Sequence, residues 1–207
     1  YEGQVILFCA RGGYRSSVLF QLLRALDMKV YKLDHGYKAY RSYVNENLEK
    51  ALASFEYVNL NGLTACGKTE ILHELEKKAN VLDLEGLANH RGSIFGGMGL
   101  GNQPSQKMFE SLVYNKIRSF KGNLVFVESE SIKLGSLQIF KSTHDKYTNS
   151  NHQVLITSPI EQRVERIKGD YLNGDLDCLD KEIRDDINKL KSYISCETYN
   201  TFIRYLE

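Results

Sequence analysis

The amino-acid sequence predicts an α/β fold with a mostly parallel sheet. Short apolar runs of the kind that form buried strands alternate along the chain with segments whose apolar residues recur at helical spacing. Some of these strands also lead directly into glycine-containing loops that open helices, an arrangement found at the ligand-binding edge of parallel sheets. We therefore expect the chemistry to lie in those loops.

The strand and helix pattern divides the chain into two units. In the first, we predict a strand, a helix, a second strand and a helix that leads out of the unit, at residues 5–8, 16–26, 30–33 and 39–55. In the second, we predict strands at residues 57–60, 80–84, 123–127 and 153–157, helices at residues 69–78, 106–119 and 160–167, and polar helices over residues 176–206. The domains are accordingly placed at residues 1–55 and 56–207. Because Tyr1 lies so close to the first strand, we expect residues before it in the whole protein.

Composition limits the classes of partner. The 207 residues are 42% apolar, which suits a protein with a buried core, and the formal net charge is +1, from 27 basic and 26 acidic residues. Such a balance gives no strong field, so any contact with nucleic acid must come from a local basic patch. No apolar run approaches the roughly 20 residues that span a bilayer, and we predict no membrane partner. Four cysteines without metal-like pairing favour reduced thiols and a cytoplasmic location.

The first glycine-containing loop presents a cysteine at the start of a helix. Backbone N–H groups at a helix N-terminus favour an anion, and so we predict that Cys9 has a lowered pKa and acts as a catalytic thiolate. That chemistry suits the capture of sulfur or selenium on Cys9 as a persulfide or selenide. The rest of the predicted cradle consists of Arg11, Gly12, Gly13, Arg15 and Ser16. The alternative is that Cys9 is a small buried residue that ends the strand.

The second loop fits the P-loop pattern G-x-x-x-x-G-K-[ST]. Its predicted phosphate-binding residues lie between a predicted strand and a predicted helix, which is the context that the pattern requires; they are Gly62, Gly67, Lys68 and Thr69. Backbone amides of the loop would surround a diphosphate, Lys68 would reach its terminal oxygens, and Thr69 would ligate Mg²⁺. The alternative is a glycine-rich turn that only packs, which would make the Lys-Thr pair a coincidence.

A P-loop that binds Mg²⁺ needs an acidic group on a neighbouring strand. Glu128 ends an apolar strand, and we predict it as the acidic partner and, with Thr69, as a ligand of Mg²⁺. Glu130 is the second choice, with an exposed loop acid as its alternative. Asp83 and Glu85 follow another strand and could also face the phosphates.

The segment at residues 83–96 combines acids, a His-Arg pair and a Gly-Ser turn directly after a strand. We predict a substrate loop there, in which His90 and Arg91 contact substrate beside the phosphates; a plain surface loop is the alternative. Further along, Arg163 and Arg166 are three residues apart and therefore share a helix face. They either close over phosphates or form a solvated face that pairs with neighbouring glutamates.

Residues 9–16 together with residues 30–41 resemble the C-terminal half of a rhodanese domain. The shared features are C-x-x-G-G-x-R-S in the cysteine loop and, after the helix, the turn that begins at His35. The rhodanese family usually has two glycines at this turn, and here His35 replaces the first. The resemblance implies the C-terminal half of a rhodanese-like domain, followed by a P-loop NTPase-like domain.

Two further segments resemble the tRNA 2-selenouridine synthase family. Residues 83–96 match D-L-E-G-L-A-x-H-R-G-S-x-F-G, and residues 127–135 are similar to v-E-x-E-S-x-x-I-G. The resemblance implies a transferase that acts twice on wobble 2-thiouridine of tRNA: the sulfur is geranylated from geranyl diphosphate, and selenium from selenophosphate then displaces the geranylthio group. It also implies tRNA and not DNA as the partner, selenium carried by Cys9, and a diphosphate in the P-loop.

Two other functions stay open on the sequence. An ATP-dependent kinase or ATPase with a regulatory rhodanese half would require nucleotide turnover. A sulfur-carrier and RNA-binding module would bind tRNA without catalysing a reaction.

Overall fold

The computed structural model describes residues 4–171 and 176–205. The chain forms two compact units, Tyr1–Ala51 and Leu52–Glu207. Among the described residues, no helix has both the length and the apolar character needed to cross a bilayer.

The first unit contains a pair of parallel strands. Strand β1 (Val5–Leu7) pairs with β2 (Val30–Lys32), and helix α1 (Tyr14–Ala25) connects them. Helix α2 (Gly36–Ser54) follows β2 and leads into the second unit. This parallel pair with a helical crossover agrees with the predicted order of elements, whereas its assignment to a rhodanese half stays a prediction.

The turn at His35 brings two backbone segments into direct contact. His35 itself has a φ of 55°, in the left-handed region that favours glycine. A Cβ on Gly36 would lie 2.0 Å from the carbonyl oxygen of Cys9, so only glycine fits at that position. The backbone amide of Tyr37 donates to the same oxygen at 2.9 Å, and in this way the turn supports the start of the cysteine loop.

The second unit is built on a four-stranded parallel sheet. Its strands lie in the order β4-β5-β3-β8 and consist of β3 (Glu56–Asn61), β4 (Asn80–Leu82), β5 (Leu124–Glu128) and β8 (His152–Leu155). A short antiparallel hairpin, β6 (Lys133–Leu134) and β7 (Leu137–Gln138), lies between β5 and β8 in the chain. The helices are α3 (Lys68–Glu76), α4 (Leu84–Ala88), α5 (Gln106–Ile117), α6 (Lys141–Thr148), α7 (Ile160–Tyr171), α8 (Leu176–Leu190) and α9 (Cys196–Tyr205). The predicted α/β class with a mostly parallel sheet is therefore correct.

The core of this unit lies between the sheet and the helix that follows the P-loop. Leu60 of β3, Leu72 of α3 and Val81 of β4 pack together in the interior, and Val125 and Val127 of β5 are fully buried. Burial of apolar side chains on the central strands is the main source of stability for such a sheet. It fixes the carboxyl ends of β3 and β5 side by side, which is where the candidate site lies.

Side-chain amide groups join the edge strand β8 to the sheet. Asn59 is 1% exposed, and its Nδ2 donates to Oε1 of Gln153 at 3.0 Å; Nδ2 of Asn61 donates to the same oxygen at 2.6 Å. Asn59 and Gln153 are also direct partners in the parallel register. These hydrogen bonds tie the register of β8 to that of β3.

Some elements differ from the prediction. The strand predicted at residues 80–84 ends at Leu82, because Asp83 caps α4 by accepting the amide of Gly86 at 2.7 Å. The β6–β7 hairpin and α6 were not predicted. Each hairpin strand has two residues, too few for a period, and α6 is a polar helix with few apolar residues to reveal its spacing.

Candidate phosphate-binding site and cysteine loop

The P-loop runs from the carboxyl end of β3 into α3. Gly67 is the residue before the first turn of α3 and has a φ of 99°, and the helix begins at Lys68. Within the loop, Nζ of Lys68 donates to the carbonyl oxygen of Gly62 at 3.1 Å, and Cys66 is buried. Amides at the N-terminus of α3 and the Lys68 ammonium together form a site suited to a phosphate group.

Glu128 lies opposite the P-loop because β5 is the direct neighbour of β3. Leu60 and Glu128 are partners in the register, and Oγ1 of Thr69 donates to Oε2 of Glu128 at 3.4 Å. The Glu128 side chain is fully buried, and its Oε1 has no hydrogen-bond partner among the described residues. The structure thus brings the predicted Thr69 and Glu128 together.

Three glutamates converge at this edge of the sheet. Oxygen atoms of Glu85, Glu128 and Glu130 all lie within 4.8 Å of one another. Burial, together with the charges of Glu128 and Glu130, raises the pKa of Glu85 to about 10. Burial, then the charges of Glu130 and Asp83, raises the pKa of Glu128 to about 8, and burial also raises the pKa of Glu130. Burial and mutual repulsion thus favour the protonated form of the Glu85 and Glu128 carboxyl groups.

Asp83 has a different place from the one predicted. Its carboxylate accepts the amide of Gly86 and contacts Nε2 of His73 at 3.3 Å, and it does not line the phosphate cavity. Asp83 is therefore a helix cap whose charge acts on Glu128 from a distance, while Glu85 and Glu130 lie in the cavity wall.

The P-loop, the acidic cluster and α7 enclose a cavity of about 470 Å³. This phosphate cavity lies at the carboxyl edge of the sheet, where parallel α/β folds bind ligands. The residues that close it opposite the P-loop are Arg91, Gly92, Ser93, Arg166, Asp170 and Tyr171.

Helix α7 places both predicted arginines on the P-loop. Nε of Arg163 donates to the carbonyl oxygen of Thr64 at 2.9 Å, and Nη1 of Arg166 donates to that of Ala65 at 3.3 Å. Arg166 also forms an ion pair with Glu70 at 3.2 Å and lines the cavity. Of the two interpretations, the structure favours arginines that cover the phosphate loop over a solvated face.

The side chains of His90 and Arg91 lie in different surroundings. His90 is 9% exposed, its Nδ1 accepts the amide of Gly92 at 3.2 Å, and burial lowers its pKa. The His90 ring is therefore packed inside the loop and lies outside the wall of the phosphate cavity, but it lines the second cavity described below, so its contact with substrate stays a prediction. Arg91 does line the phosphate cavity, with the guanidinium 4.8 Å from the centre of the Tyr171 ring.

A second cavity of about 930 Å³ adjoins the first. The two share Gly92, Ser93 and Ser131, and the second is lined further by apolar side chains such as Ile94 and Met98. Its far wall carries Asp185, Asp186, Lys189 and Tyr193. A ligand held by the P-loop can therefore extend past the shared residues into a partly apolar space.

The cysteine loop in the first unit forms a separate site. Sγ of Cys9 lies 3.3 Å from Oγ of buried Ser16, and this hydrogen bond, followed by that from the backbone of Arg11, lowers the pKa of Cys9 to about 6. Arg11 and Arg15 are exposed at its rim. The half-buried thiol thus has the low pKa and the access that a reactive cysteine needs, as predicted from the loop.

A family model described as "tRNA 2-selenouridine synthase AAA domain" matches residues 55–199. The chain belongs to the tRNA 2-selenouridine synthase family. The match covers the P-loop, the acidic cluster and both cavities, so the whole candidate phosphate site lies in the part that carries the family signal.

Curated members of the family resemble the chain over most of its length. The proteins named tRNA 2-selenouridine synthase from Hydrogenovibrio crunogenus and Pseudomonas savastanoi are each 37% identical, over 82% and 80% of this chain. The one from Shewanella frigidimarina is 32% identical over 82% of it. These matches span 48%, 45% and 46% of the relatives, so the chain spans about half the length of the curated relatives it matches. No solved structure matches the chain significantly.

Several site residues of this family member were not found from the sequence. The hydroxyl groups of Ser93 and Tyr171 lie 3.0 Å apart although 78 residues separate them, and no local pattern signals such a contact. The close approach of Gly92 to the carboxylates was also missed. The Gly-Ser pair was the available signal, because glycine readily adopts the φ of +65° found here, but only the fold shows what lies against it.

Proposed function

We propose that this chain is the catalytic part of a tRNA 2-selenouridine synthase that geranylates wobble 2-thiouridine in tRNA and then replaces the sulfur with selenium. The observation that carries the proposal is a complete P-loop cavity that opens onto a second, partly apolar cavity, in a chain of this family. A prenyl diphosphate has the two parts that such a pair of cavities would hold.

The diphosphate of geranyl diphosphate would lie in the P-loop. Backbone amides of the loop and Lys68 bind its oxygens, and Arg166 approaches from α7. The geranyl chain extends past Ser93 towards Ile94 and Met98 in the second cavity. Closure of Arg91 on Tyr171 excludes water from the carbon that reacts.

Magnesium fits at the base of this site. The Thr69 hydroxyl and the adjacent Oε2 of the Glu128 carboxylate are oxygen donors of the kind Mg²⁺ prefers. When bound, Mg²⁺ would neutralise charge on the departing diphosphate. Lys68 and Arg166 stabilise the same charge from the side of the P-loop.

Each proposed step has a defined leaving group. In the first, the sulfur of 2-thiouridine attacks C1 of the geranyl group, the C–O bond breaks, and diphosphate leaves. In the second, the selenium of selenophosphate attacks C2 of the base, the C–S bond breaks and geranyl thiol leaves, and water then cleaves the Se–P bond and releases phosphate. Alkylation makes the second step possible, because a thiocarbonyl sulfur is a poor leaving group. Cys9, whose low pKa keeps it ionised at neutral pH, would assist this second step as a thiolate.

Ligand preference tests the class of substrate. Calorimetry with Mg²⁺ should show that geranyl diphosphate binds more tightly than inorganic diphosphate, ATP or GTP, since only the prenyl diphosphate fills both cavities. Lys68→Ala should weaken diphosphate binding by about 1.5–3 kcal/mol, roughly 10- to 150-fold, through loss of a charge-assisted hydrogen bond. Lys78→Ala, an exposed lysine just beyond the same helix, is the matched control. A preference for ATP with turnover would instead make the protein a kinase or ATPase.

Replacement of Cys9 separates the two steps. In the protein at the full length of its relatives, Cys9→Ser should stop incorporation of selenium and leave geranylation intact, because alkylation needs no protein thiol. Mass spectrometry of digested tRNA distinguishes the geranylated from the selenated nucleoside. Normal 2-selenouridine from Cys9→Ser would remove Cys9 from the mechanism.

A further inference from the structure

Glu85, Glu128 and Glu130 form an acidic cluster in which the oxygen atoms lie within 4.8 Å of one another. Two chain segments supply it: Glu85 lies on α4, and the other two at the end of β5 and just beyond. Glu128 is buried and its two neighbours are half-buried. Such a spacing matches one hard cation bound by carboxylate oxygens from three side chains.

The orphaned oxygen of Glu128 is a second and independent indication of a ligand. Thr69 donates to Oε2, whereas Oε1 is fully buried with no hydrogen-bond partner among the described residues. A buried carboxylate oxygen without a partner is costly, and such atoms in native folds usually mark a missing water or ion. Of the two oxygens, Oε1 is therefore the one available to a cation.

The loop at Gly92 closes the cluster without adding a donor, whereas on the other side a backbone hydrogen bond from Ser131 stabilises the Glu130 carboxylate. Gly92 comes so near that a Cβ there would lie 2.1 Å from Oε1 of Glu85 and 2.2 Å from Oε2 of Glu130. Its amide, however, donates to Nδ1 of His90 rather than to either carboxylate. The loop therefore shields the cluster from water but adds no donor at its closest point.

The charge of the three glutamates affects ligand binding, because the cluster lies beside the phosphate site. Three carboxylates in the wall of the phosphate cavity would repel a diphosphate, and Lys68 would be engaged by that ligand. Either protons or a cation must offset them. A cation does so while adding a positive charge next to the phosphates.

We propose that Glu85, Glu128 and Glu130 bind one divalent cation of the Mg²⁺ or Mn²⁺ class, independently of any phosphate ligand. Glu128 would then join two metals, with Oε1 on this cation and Oε2 facing the Mg²⁺ beside Thr69 that arrives with the diphosphate. The inference goes beyond the proposed function and does not depend on which diphosphate, or which RNA, the protein uses.

Manganese alone is the probe. Titration of Mn²⁺ into the chain without phosphate, followed by the electron paramagnetic resonance signal of free Mn²⁺, should show one bound ion per chain. Glu85→Gln and Glu130→Gln should each weaken that binding about tenfold or more, since changes even one shell away from a metal cost 10- to 100-fold. Glu74→Gln, an exposed glutamate on α3, should leave it unchanged. Thermal melts confirm that the variants are folded.

Lys68→Ala distinguishes this site from the metal that accompanies a diphosphate. Addition of inorganic diphosphate should raise the stoichiometry to two ions in the unaltered chain and leave it at one in Lys68→Ala. The proposal fails if Mn²⁺ binds only when diphosphate is present, if both glutamine variants bind it normally, or if the cluster holds protons and takes up no Mn²⁺ between pH 6 and 9. None of these results would bear on whether the P-loop binds geranyl diphosphate.

Discussion

At the scale of single residues, the hydroxyl group of Ser16 has the largest effect on the chemistry of Cys9. It is the first cause of the lowered pKa, ahead of the backbone of Arg11, and the thiol itself is only partly shielded. The carbonyl oxygen of Gly13 lies 3.1 Å from the same hydroxyl, so it and the Cys9 thiolate are alternative acceptors for the single Ser16 proton. A serine in the first turn of a helix thus controls the reactivity of a cysteine in the preceding loop.

Ser16→Ala should therefore make the thiol less acidic. Labelling of Cys9 by iodoacetamide should rise with pH around a midpoint near 6 in the unaltered chain, because only the thiolate reacts. In the alanine variant the midpoint should move up, towards the ordinary value of 9.0. Mass spectrometry of the peptide that contains Cys9 measures the rate at each pH. Equal midpoints in both chains would show that the backbone amides alone stabilise the thiolate.

The positions of single side chains could be predicted where a sequence motif specifies the geometry around them. Lys68 and Thr69 lie in a motif that specifies their surroundings, and the structure places them on the Gly62 carbonyl and on Glu128. Prediction from the sequence did not reveal that Asp83 caps a helix or that His90 is buried, because both features depend on what packs against these residues. The helix cap at Asp83 had a signal in the sequence, an aspartate just after a strand with a glycine amide three residues on, but the burial of His90 had none.

At the scale of elements, the loop between α4 and α5 is shaped by its contact with the carboxylates. Gly92 and Gly99 both have left-handed backbones, with φ of +65° and +70°. Only at Gly92 would a Cβ meet other atoms, because nothing lies within 4 Å of the corresponding position at Gly99. A comparison of alanine substitutions at Gly92 and Gly99 therefore separates the effect of backbone strain from that of steric overlap.

Gly92→Ala should lower the free energy of unfolding more than Gly99→Ala does. Both changes incur the left-handed strain of an alanine, about 1 kcal/mol, and Gly92→Ala adds an overlap with two carboxylates of about 1–3 kcal/mol. Urea denaturation of both variants measures the difference. Equal losses would mean that Glu85 and Glu130 swing aside freely, so that the acidic cluster is not held together by this loop.

The prediction of strands and helices was limited by the length of each element. Strands β3 and β5 and the helix after the P-loop have enough apolar residues to reveal a period, and their positions agree with the sequence to within a residue or two. The hairpin β6–β7 and the five-residue α4 are too short for any period. These elements depend on tertiary contacts such as those of Gln103, whose side-chain amide donates to the carbonyl oxygens of Leu134 and Ala88.

At the scale of the whole molecule, the phosphate cavity belongs to one of the two compact units. All of its lining residues lie in Leu52–Glu207, as does the family match at residues 55–199. The cysteine loop lies in Tyr1–Ala51. The two candidate sites thus lie in separate stretches of sequence, which is why each could be predicted from its own loop.

A chain restricted to residues 52–207 should bind inorganic diphosphate as tightly as the chain described here, to within about twofold. The reason is that it retains every lining residue and the contact of the Tyr57 hydroxyl with the Leu52 carbonyl oxygen at 2.8 Å. Calorimetry gives the affinity, and circular dichroism shows whether the shortened chain is folded. A folded chain that had lost diphosphate binding would mean that the first unit contributes to the phosphate site.

The hydrogen bonds of the Gln153 side chain affect the position of the two arginines of α7 over the P-loop. A slip of β8 by one residue would shift it by about 3.3 Å along β3 and turn its side chains to opposite faces. The Asn59 amide would lose Gln153 as an acceptor, and α7, which follows β8 after Pro159, would carry Arg163 and Arg166 away from the carbonyl oxygens of Thr64 and Ala65. The pairing of Asn59 with Gln153 at the edge of the sheet thus sets the position of a helix that begins several residues later. A mutation at Gln153 would therefore displace the positive charges of α7 from a P-loop that is itself unchanged.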